Sequence, residues 1–128
     1  MPEGPEIRQE ADRIAKALQG KVAEVVWFAF PHLSDHAKML QGRAVLAVES
    51  RGKALLTRFE GGWNVYSHNQ LYGRWYVSPR GREPETNRQL RFAVHTAKRS
   101  ARLYSASDIE VLADEELDEH PFLNKLGP

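Results

Sequence analysis

The first six residues, MPEGPE, contain two prolines and two glutamates beside an N-terminal amine that could act as a nucleophile. Removal of Met1, which a small second residue favours, would expose the secondary amine of Pro2. An α-amine has a pKa near 8 and lysine one near 10.4, so roughly a tenth of α-amines are uncharged at neutral pH. A secondary amine condenses with an aldehyde carbon to give a cationic iminium, which accepts electrons during elimination at the adjacent carbon. The adjacent Glu3 could supply or accept the protons.

The same residues also fit an ordinary helix start. Hydrophobic residues recur at helical spacing from Pro5 to Gly20, with Ile7, Ile14 and Leu18 on one face. Proline suits the first turn, glutamate suits the positive end of a helix, and glycine suits its C-terminal cap. A helix that begins at Pro5 would also direct its positive end toward the Pro2 amine and disfavour its protonation.

Two further motifs combine polar side chains with turn residues. In SRGK, residues 50–53, Gly52 permits close backbone approach and Lys53 could contact a phosphate or transfer a proton; a hairpin with solvated cations is the alternative. In YSHNQLYG, residues 66–73, Leu71 and Tyr72 could refill a duplex after a base is flipped out, while Gln70 pairs with the orphaned base. The alternative is a hairpin whose apolar residues belong to the core.

Short, closely spaced strand patterns must position these motifs. They predict an α+β fold that is mainly β, an antiparallel β-sandwich flanked by the N-terminal helix and short helices. The predicted strands are 21–30, 44–50, 54–59, 63–67, 74–77, 90–96 and 102–105, with turns that include 98–100. A short helix is predicted at 34–40, and another within the acidic DEELDEH.

Composition limits the class of protein. The 128 residues are sufficient for one domain, contain no apolar run of membrane-spanning length, and include no cysteine, which excludes disulfides and cysteine-ligated metals. Five scattered histidines predict no metal site. Residues 43–102 hold twelve Lys or Arg against four Asp or Glu, a net charge of +8. This block is typical of a surface that meets phosphates, although a solvated strand surface would look the same.

Several segments together resemble the formamidopyrimidine-DNA glycosylase and endonuclease VIII family, and most of all its endonuclease VIII branch. They occur in the order expected for that family and cover the whole chain: PEGPEI, WFAFP, ESRGKALLTRF, YSHNQLYG, LYSASDIE and HPFLNKLGP. The proline-glutamate start is specific when it is combined with the RGK turn and the NQLYG loop.

The resemblance implies catalytic roles for four residues. Pro2 would attack the sugar C1′ of a damaged nucleotide and hold the sugar as a Schiff base. Glu3 would donate a proton during base release and sugar opening. Lys53 would donate a proton during elimination and contact a phosphate, and Glu6 would support the active site.

The resemblance also implies a set of DNA contacts. Gln70, Leu71 and Tyr72 would fill the void in the duplex, and His68 would contact the backbone. Lys125 stands where the family often has a DNA-binding arginine, which keeps the charge but loses the forked donor geometry.

The implied function is base-excision repair by a bifunctional DNA glycosylase and abasic-site lyase that removes oxidised pyrimidines with β,δ-elimination. Double-stranded DNA with oxidised bases or abasic sites would be the partner of a cytoplasmic, nucleoid-associated bacterial monomer that contacts no membrane. Residues 1–128 would form the N-terminal catalytic domain, without the family's helix-two-turn-helix domain and its zinc finger, where the only zinc is expected. Activity would require that Met1 is removed and that the missing domain is present. A non-catalytic DNA-binding module and a β-sandwich interaction domain are the alternatives.

Overall fold

The computed structural model describes residues 4–51, 54–68, 73–106 and 108–117, with side chains from residue 7 onward. Eight strands and three helices, together with a 3-10 turn at Pro31–Leu33, make up this part of the chain. The helices are α1 (Gly4–Leu18), α2 (Ser34–Leu40) and α3 (Asp114–Leu117). The strands are β1 (Val25–Phe28), β2 (Val45–Arg51), β3 (Ala54–Phe59), β4 (Trp63–His68), β5 (Arg74–Pro79), β6 (Leu90–His95), β7 (Arg99–Tyr104) and β8 (Asp108–Ala113).

The strands form two four-stranded antiparallel sheets. Sheet 1 has the order β1-β6-β7-β5, and sheet 2 has the order β2-β3-β4-β8. Alternate residues of both sheets point into one shared core, where Leu55, Phe59, Phe92 and Leu103 are almost wholly buried. These features confirm the predicted α+β sandwich with an N-terminal helix and short flanking helices.

Helix α1 closes one side of this core with the face that its spacing predicts. Ile14 and Leu18 are fully buried and Ile7 packs against the same cluster. Gly20, with a φ of 78°, ends the helix, and its N–H donates to the carbonyl of Val45 at 2.8 Å. The C-terminal end of α1 is therefore fixed at the start of β2.

Three strands differ from the sequence-based expectation. Strand β8 was not predicted, because the acidic residues after position 107 obscure its alternation of polar and apolar side chains. Strand β7 begins at Arg99, so the predicted turn at 98–100 is wrong beyond Lys98. Strand β1 occupies only four of the ten residues predicted for it.

The connection from β5 to β6 explains why polar residues on the outer face of sheet 1 are buried. It must pass β7, which lies between these two strands, and the carbonyl of Arg82 accepts from Arg102 Nη1 at 3.1 Å. Ser78 Oγ also donates to this carbonyl, at 2.8 Å. The segment therefore lies against the outer face of sheet 1, where Arg102 is only 6% exposed.

Candidate nucleic-acid interface and active site

One row of paired residues crosses the whole of sheet 2. Arg51 pairs with Ala54, Ala54 pairs with His68, and His68 pairs with Asp108. This row is the last one at its end of the sheet, which we call the site end. The β2–β3 turn, which contains Lys53, and the exit from β4, which leads to Gln70, therefore both leave sheet 2 at the site end.

Both connections that follow, from β4 to β5 and from β7 to β8, pass from one sheet to the other at the site end. Strand β5 begins at Arg74, which pairs with Tyr104, the last residue of β7. Ser105 then adopts a left-handed φ of 64°, which few residues other than glycine adopt, and its N–H donates to Gln89 at 2.9 Å. A tight reversal at Ser105 thus returns the chain to Asp108 beside His68.

Helix α1 directs its N-terminal end toward the same region. The helix packs mainly along β2, with its C-terminal end held at Val45, where β2 starts. Nearer the N-terminal end of the helix, Arg13 Nη2 donates to the carbonyl of Trp75, the second residue of β5, at 3.3 Å. Because the helix continues from there for about 13 Å toward Gly4, its positive end approaches the site end.

The structure describes only part of the residue set that the sequence predicts. His68 is half-buried at the end of β4, and Glu6 lies in the first turns of α1. The other predicted site residues lie outside the described residues: Pro2, Glu3, Lys53, Gln70, Leu71, Tyr72 and Lys125. Among the described residues, those on either side of position 53 and the residue at the end of β4 lie in one row at the site end.

A network of charged and polar side chains extends from the site end across the outer face of sheet 2. Glu49 Oε1 accepts from Arg51 Nη2 at 2.8 Å and Nε at 3.2 Å, and Glu49 Oε2 lies 3.6 Å from Arg58 Nη1. Arg58 Nε donates to Asn64 Oδ1 at 3.1 Å, while its Nη2 lies 3.4 Å from Asp114 Oδ1. The network connects the strand before Lys53 to α3.

The outer face of sheet 2 also shifts the pKa of a tyrosine. Tyr66 is fully buried on β4, and this burial, followed by the charges of Asp108 and Glu110, raises its pKa to about 12. The phenol therefore stays protonated at any physiological pH. Asp108 pairs with His68 on β8, a strand that the sequence did not predict, although the alternating residues of DIEVLA indicate it.

Several arginines of the +8 block donate hydrogen bonds to oxygens of the protein itself. Arg43 donates to the carbonyls of Met39 and Glu60, and Arg80 donates to the carbonyl of Thr96 and pairs with Glu24. Arg58 and Arg102 are bonded as described above. Arginines that donate to the protein's own oxygens have fewer donors left for phosphate. The net charge of the block alone therefore overestimates how many of its cations can contact a nucleic acid.

Metal and membrane sites are not indicated by the part of the chain that the structure describes. Within 4–51, 54–68, 73–106 and 108–117, no three His, Cys, Asp or Glu residues are grouped as metal ligands. No described helix combines the length and apolar character that crossing a membrane requires.

Comparison with known proteins identifies the family. The formamidopyrimidine-DNA glycosylase N-terminal domain matches residues 1–108. The chain belongs to this family. Endonuclease 8 of Escherichia coli is 55% identical over 128 residues, which are all of this chain and 49% of that protein. Endonuclease 8 of Shigella flexneri gives the same values. The chain thus spans about half the length of these curated relatives, and the resemblance inferred from its segments is confirmed.

Solved structures of this family support the fold. Formamidopyrimidine-DNA glycosylase of Lactococcus lactis, non-covalently bound to DNA with an abasic site, has a TM-score of 0.77 at 15% identity. The similarity covers 90% of this chain and 46% of that one. A complex of the Lactococcus enzyme with DNA that contains an oxidised pyrimidine also gives 0.77, at 16% identity and the same coverage. At these identities the comparison shows that the two-sheet sandwich is the family's N-terminal fold.

Proposed function

We propose that this chain is the catalytic half of a bifunctional DNA glycosylase and abasic-site lyase that acts on oxidised pyrimidines in double-stranded DNA. The observation that carries the proposal is the convergence at the site end. Helix α1 directs its positive end there, and the segments that contain Lys53 and residues 69–72 leave sheet 2 from its last row of paired residues. Membership of the glycosylase family supplies the chemistry that such a convergence would serve.

The proposed first step uses the Pro2 amine, once Met1 is removed. Its nitrogen attacks the sugar C1′ while the C1′–base bond breaks, and Glu3 donates a proton toward base release and opening of the sugar. The amine loses its proton and the C1′–O4′ bond then breaks with its electron pair on O4′, which takes up a proton, so the product is a cationic iminium between Pro2 and C1′. The positive end of α1 disfavours protonation of the amine, which keeps a larger fraction of it nucleophilic at neutral pH.

The proposed second step is elimination. Loss of a proton from C2′ expels the 3′ phosphate, because the iminium accepts the electron pair, and a second elimination expels the 5′ phosphate. Lys53 donates a proton during elimination and contacts a phosphate, and Glu6 supports the arrangement from α1. In each of the two eliminations a carbon–oxygen bond breaks and the phosphate departs with the electron pair.

The proposed DNA contacts surround this chemistry. Gln70, Leu71 and Tyr72 fill the space that the flipped nucleotide leaves, and His68, next to them at the end of β4, contacts the backbone. Lys125 adds a phosphate contact. The proposed preference for pyrimidines rests on the resemblance of the NQLYG loop to the endonuclease VIII branch, and we expect the protein to act as a monomer.

Borohydride reduction on duplex DNA with an abasic site tests the proposal directly. The full-length protein, free of Met1, is expected to form a covalent adduct, and Pro2→Gly is expected to lose most of it because the imine of a primary amine must first gain a proton to become a cationic electron acceptor. Pro79→Gly, at the opposite end of β5, is the matched control and is expected to trap normally. An undiminished Pro2→Gly adduct on a peptide other than the N-terminal one would exclude Pro2 as the nucleophile.

Binding without any adduct would instead favour a non-catalytic DNA-binding module. Release of an oxidised pyrimidine and an oxidised purine from otherwise identical duplexes tests the proposed substrate preference. Faster release of the pyrimidine is the expected result, and faster release of the purine would overturn the preference while leaving the lyase chemistry intact.

A further inference from the structure

Four exposed cations lie at the end of sheet 1 that is opposite to the site end. We call Arg80, Arg82, Lys98 and Arg99 the basic patch. Arg80 and Arg82 follow β5, Lys98 lies in the loop that precedes β7, and Arg99 is the first residue of β7. The Arg80 N–H donates to the carbonyl of Lys98 at 2.9 Å, and Pro79 pairs with Arg99, so the two loops lie side by side.

Hydrogen bonds hold these loops in place. The Thr96 N–H donates to the carbonyl of Arg99 at 2.8 Å, and the Arg99 N–H donates back to Thr96 Oγ1 at 3.1 Å. The Arg80 guanidinium donates to the carbonyl of Thr96 at 3.0 Å, and the Arg82 N–H donates to the carbonyl of Pro79 at 3.2 Å. The fold therefore keeps four like charges close together instead of letting mobile loops separate them.

The basic patch is only partly neutralised. Glu24 pairs with Arg80, and Glu83 follows directly after Arg82. Among the described residues, none of the ion pairs includes Arg82, Lys98 or Arg99. A surface with several fixed, exposed cations and few nearby carboxylates attracts polyanions.

The basic patch is separate from the proposed active site. Strand β5 runs from Arg74 at the site end to Pro79 beside the patch, a length of about 17 Å. A duplex seated at the site end does not need these cations to reach the proposed nucleophile. Their role is therefore independent of whether Pro2 is catalytic.

We propose that the basic patch is a second surface for duplex DNA, which contacts phosphates and does not read bases. Arginine and lysine side chains release counterions when they meet phosphates, and this contribution to binding is independent of sequence. Such a surface would hold a neighbouring segment of undamaged duplex, separate from the duplex in the proposed active site.

The test measures binding of the full-length protein to an undamaged duplex across a range of salt concentrations. The variant R82Q/K98Q/R99Q removes three patch charges while keeping the backbone bonds of these loops. The control K16Q/K21Q/K38Q removes three exposed charges elsewhere, so both variants have the same net charge. We expect the patch variant to bind about tenfold or more weakly at 0.1 M salt, with a salt slope reduced by about 2 to 3.

The control is expected to keep the wild-type slope, and borohydride trapping on an abasic site at saturating protein should be normal in both variants. Equal losses in the two variants would overturn the proposal, because net charge alone would then explain them. An unchanged slope in the patch variant, with selective loss of binding to polyglutamate, would assign the patch to an acidic protein and also overturn it. If the wild-type protein formed no borohydride adduct, the proposed function would be refuted, and the comparison of salt slopes would still test the role of the basic patch.

Discussion

Each sheet has an inner strand that carries an arginine on the outer face, Arg102 in sheet 1 and Arg58 in sheet 2, and these two arginines are held in opposite ways. Arg102 on β7 is 6% exposed and donates to two neutral oxygens, Ser78 Oγ at 3.3 Å and the Arg82 carbonyl at 3.1 Å. Arg58 on β3 has a side chain that is 32% exposed and lies between the carboxylates of Glu49 and Asp114. One arginine is covered by a loop, and the other is neutralised by charge.

Two tyrosines on the same outer faces show a similar contrast. Burial raises the pKa of Tyr104 on sheet 1, but the positive charge of Arg102 opposes that shift. Burial also raises the pKa of Tyr66 on sheet 2, and there Asp108 and Glu110 add to the shift. Residues of one type therefore have different physical roles, which depend on what the fold places beside them.

The largest effect is expected from the covered arginine. Arg102→Met removes two charge-assisted hydrogen bonds from a buried site and should lower the free energy of unfolding by about 3 kcal/mol. The matched variant Arg58→Met acts on a half-exposed, paired guanidinium and should cost about 1 kcal/mol. Urea denaturation of both variants measures the difference. An equal or larger loss for Arg58→Met would show that the carboxylates, not the covering loop, create the stronger arginine site.

A smaller effect is expected from Tyr66 at alkaline pH. The folded protein holds the phenol proton up to a pKa of about 12, whereas the unfolded chain releases it near 10. Stability should therefore fall as pH rises through this window, by about 1 kcal/mol between pH 10 and 11 from Tyr66 alone. Urea denaturation at the two pH values, compared with Tyr66→Phe, measures it. An identical pH dependence in Tyr66→Phe would contradict the assignment.

Much of the fold could be predicted because local patterns decide it. The bounds of α2 and β3 agree with the sequence-based ranges, since a short amphipathic helix and a strand between turns leave strong signals. The acidic composition of β8 hid its alternation, and the early start of β7 depends on pairing with Pro79 and His95, which no local pattern shows. In both cases pairing with neighbouring strands, and not the local strand propensity, determines where the strand lies.

The candidate site could be predicted only through the resemblance. Residues near positions 3, 53 and 70 are distant in sequence, and only the register of sheet 2 and the direction of α1 explain why their segments meet. The charge block likewise gave no means of separating Arg102, which supports a loop, from the exposed Arg99. That distinction depends on burial, which appears only when the β5–β6 connection is placed across sheet 1.

The most direct test of the central claim locates the covalent bond itself. The full-length protein is trapped on abasic DNA with borohydride, digested with a protease and a nuclease, and its modified peptide is identified by mass spectrometry. We predict that the sugar remnant lies on the N-terminal peptide, which begins with Pro2 and lacks Met1. A remnant on the peptide that contains Lys53, with an unmodified N-terminus, would contradict the account.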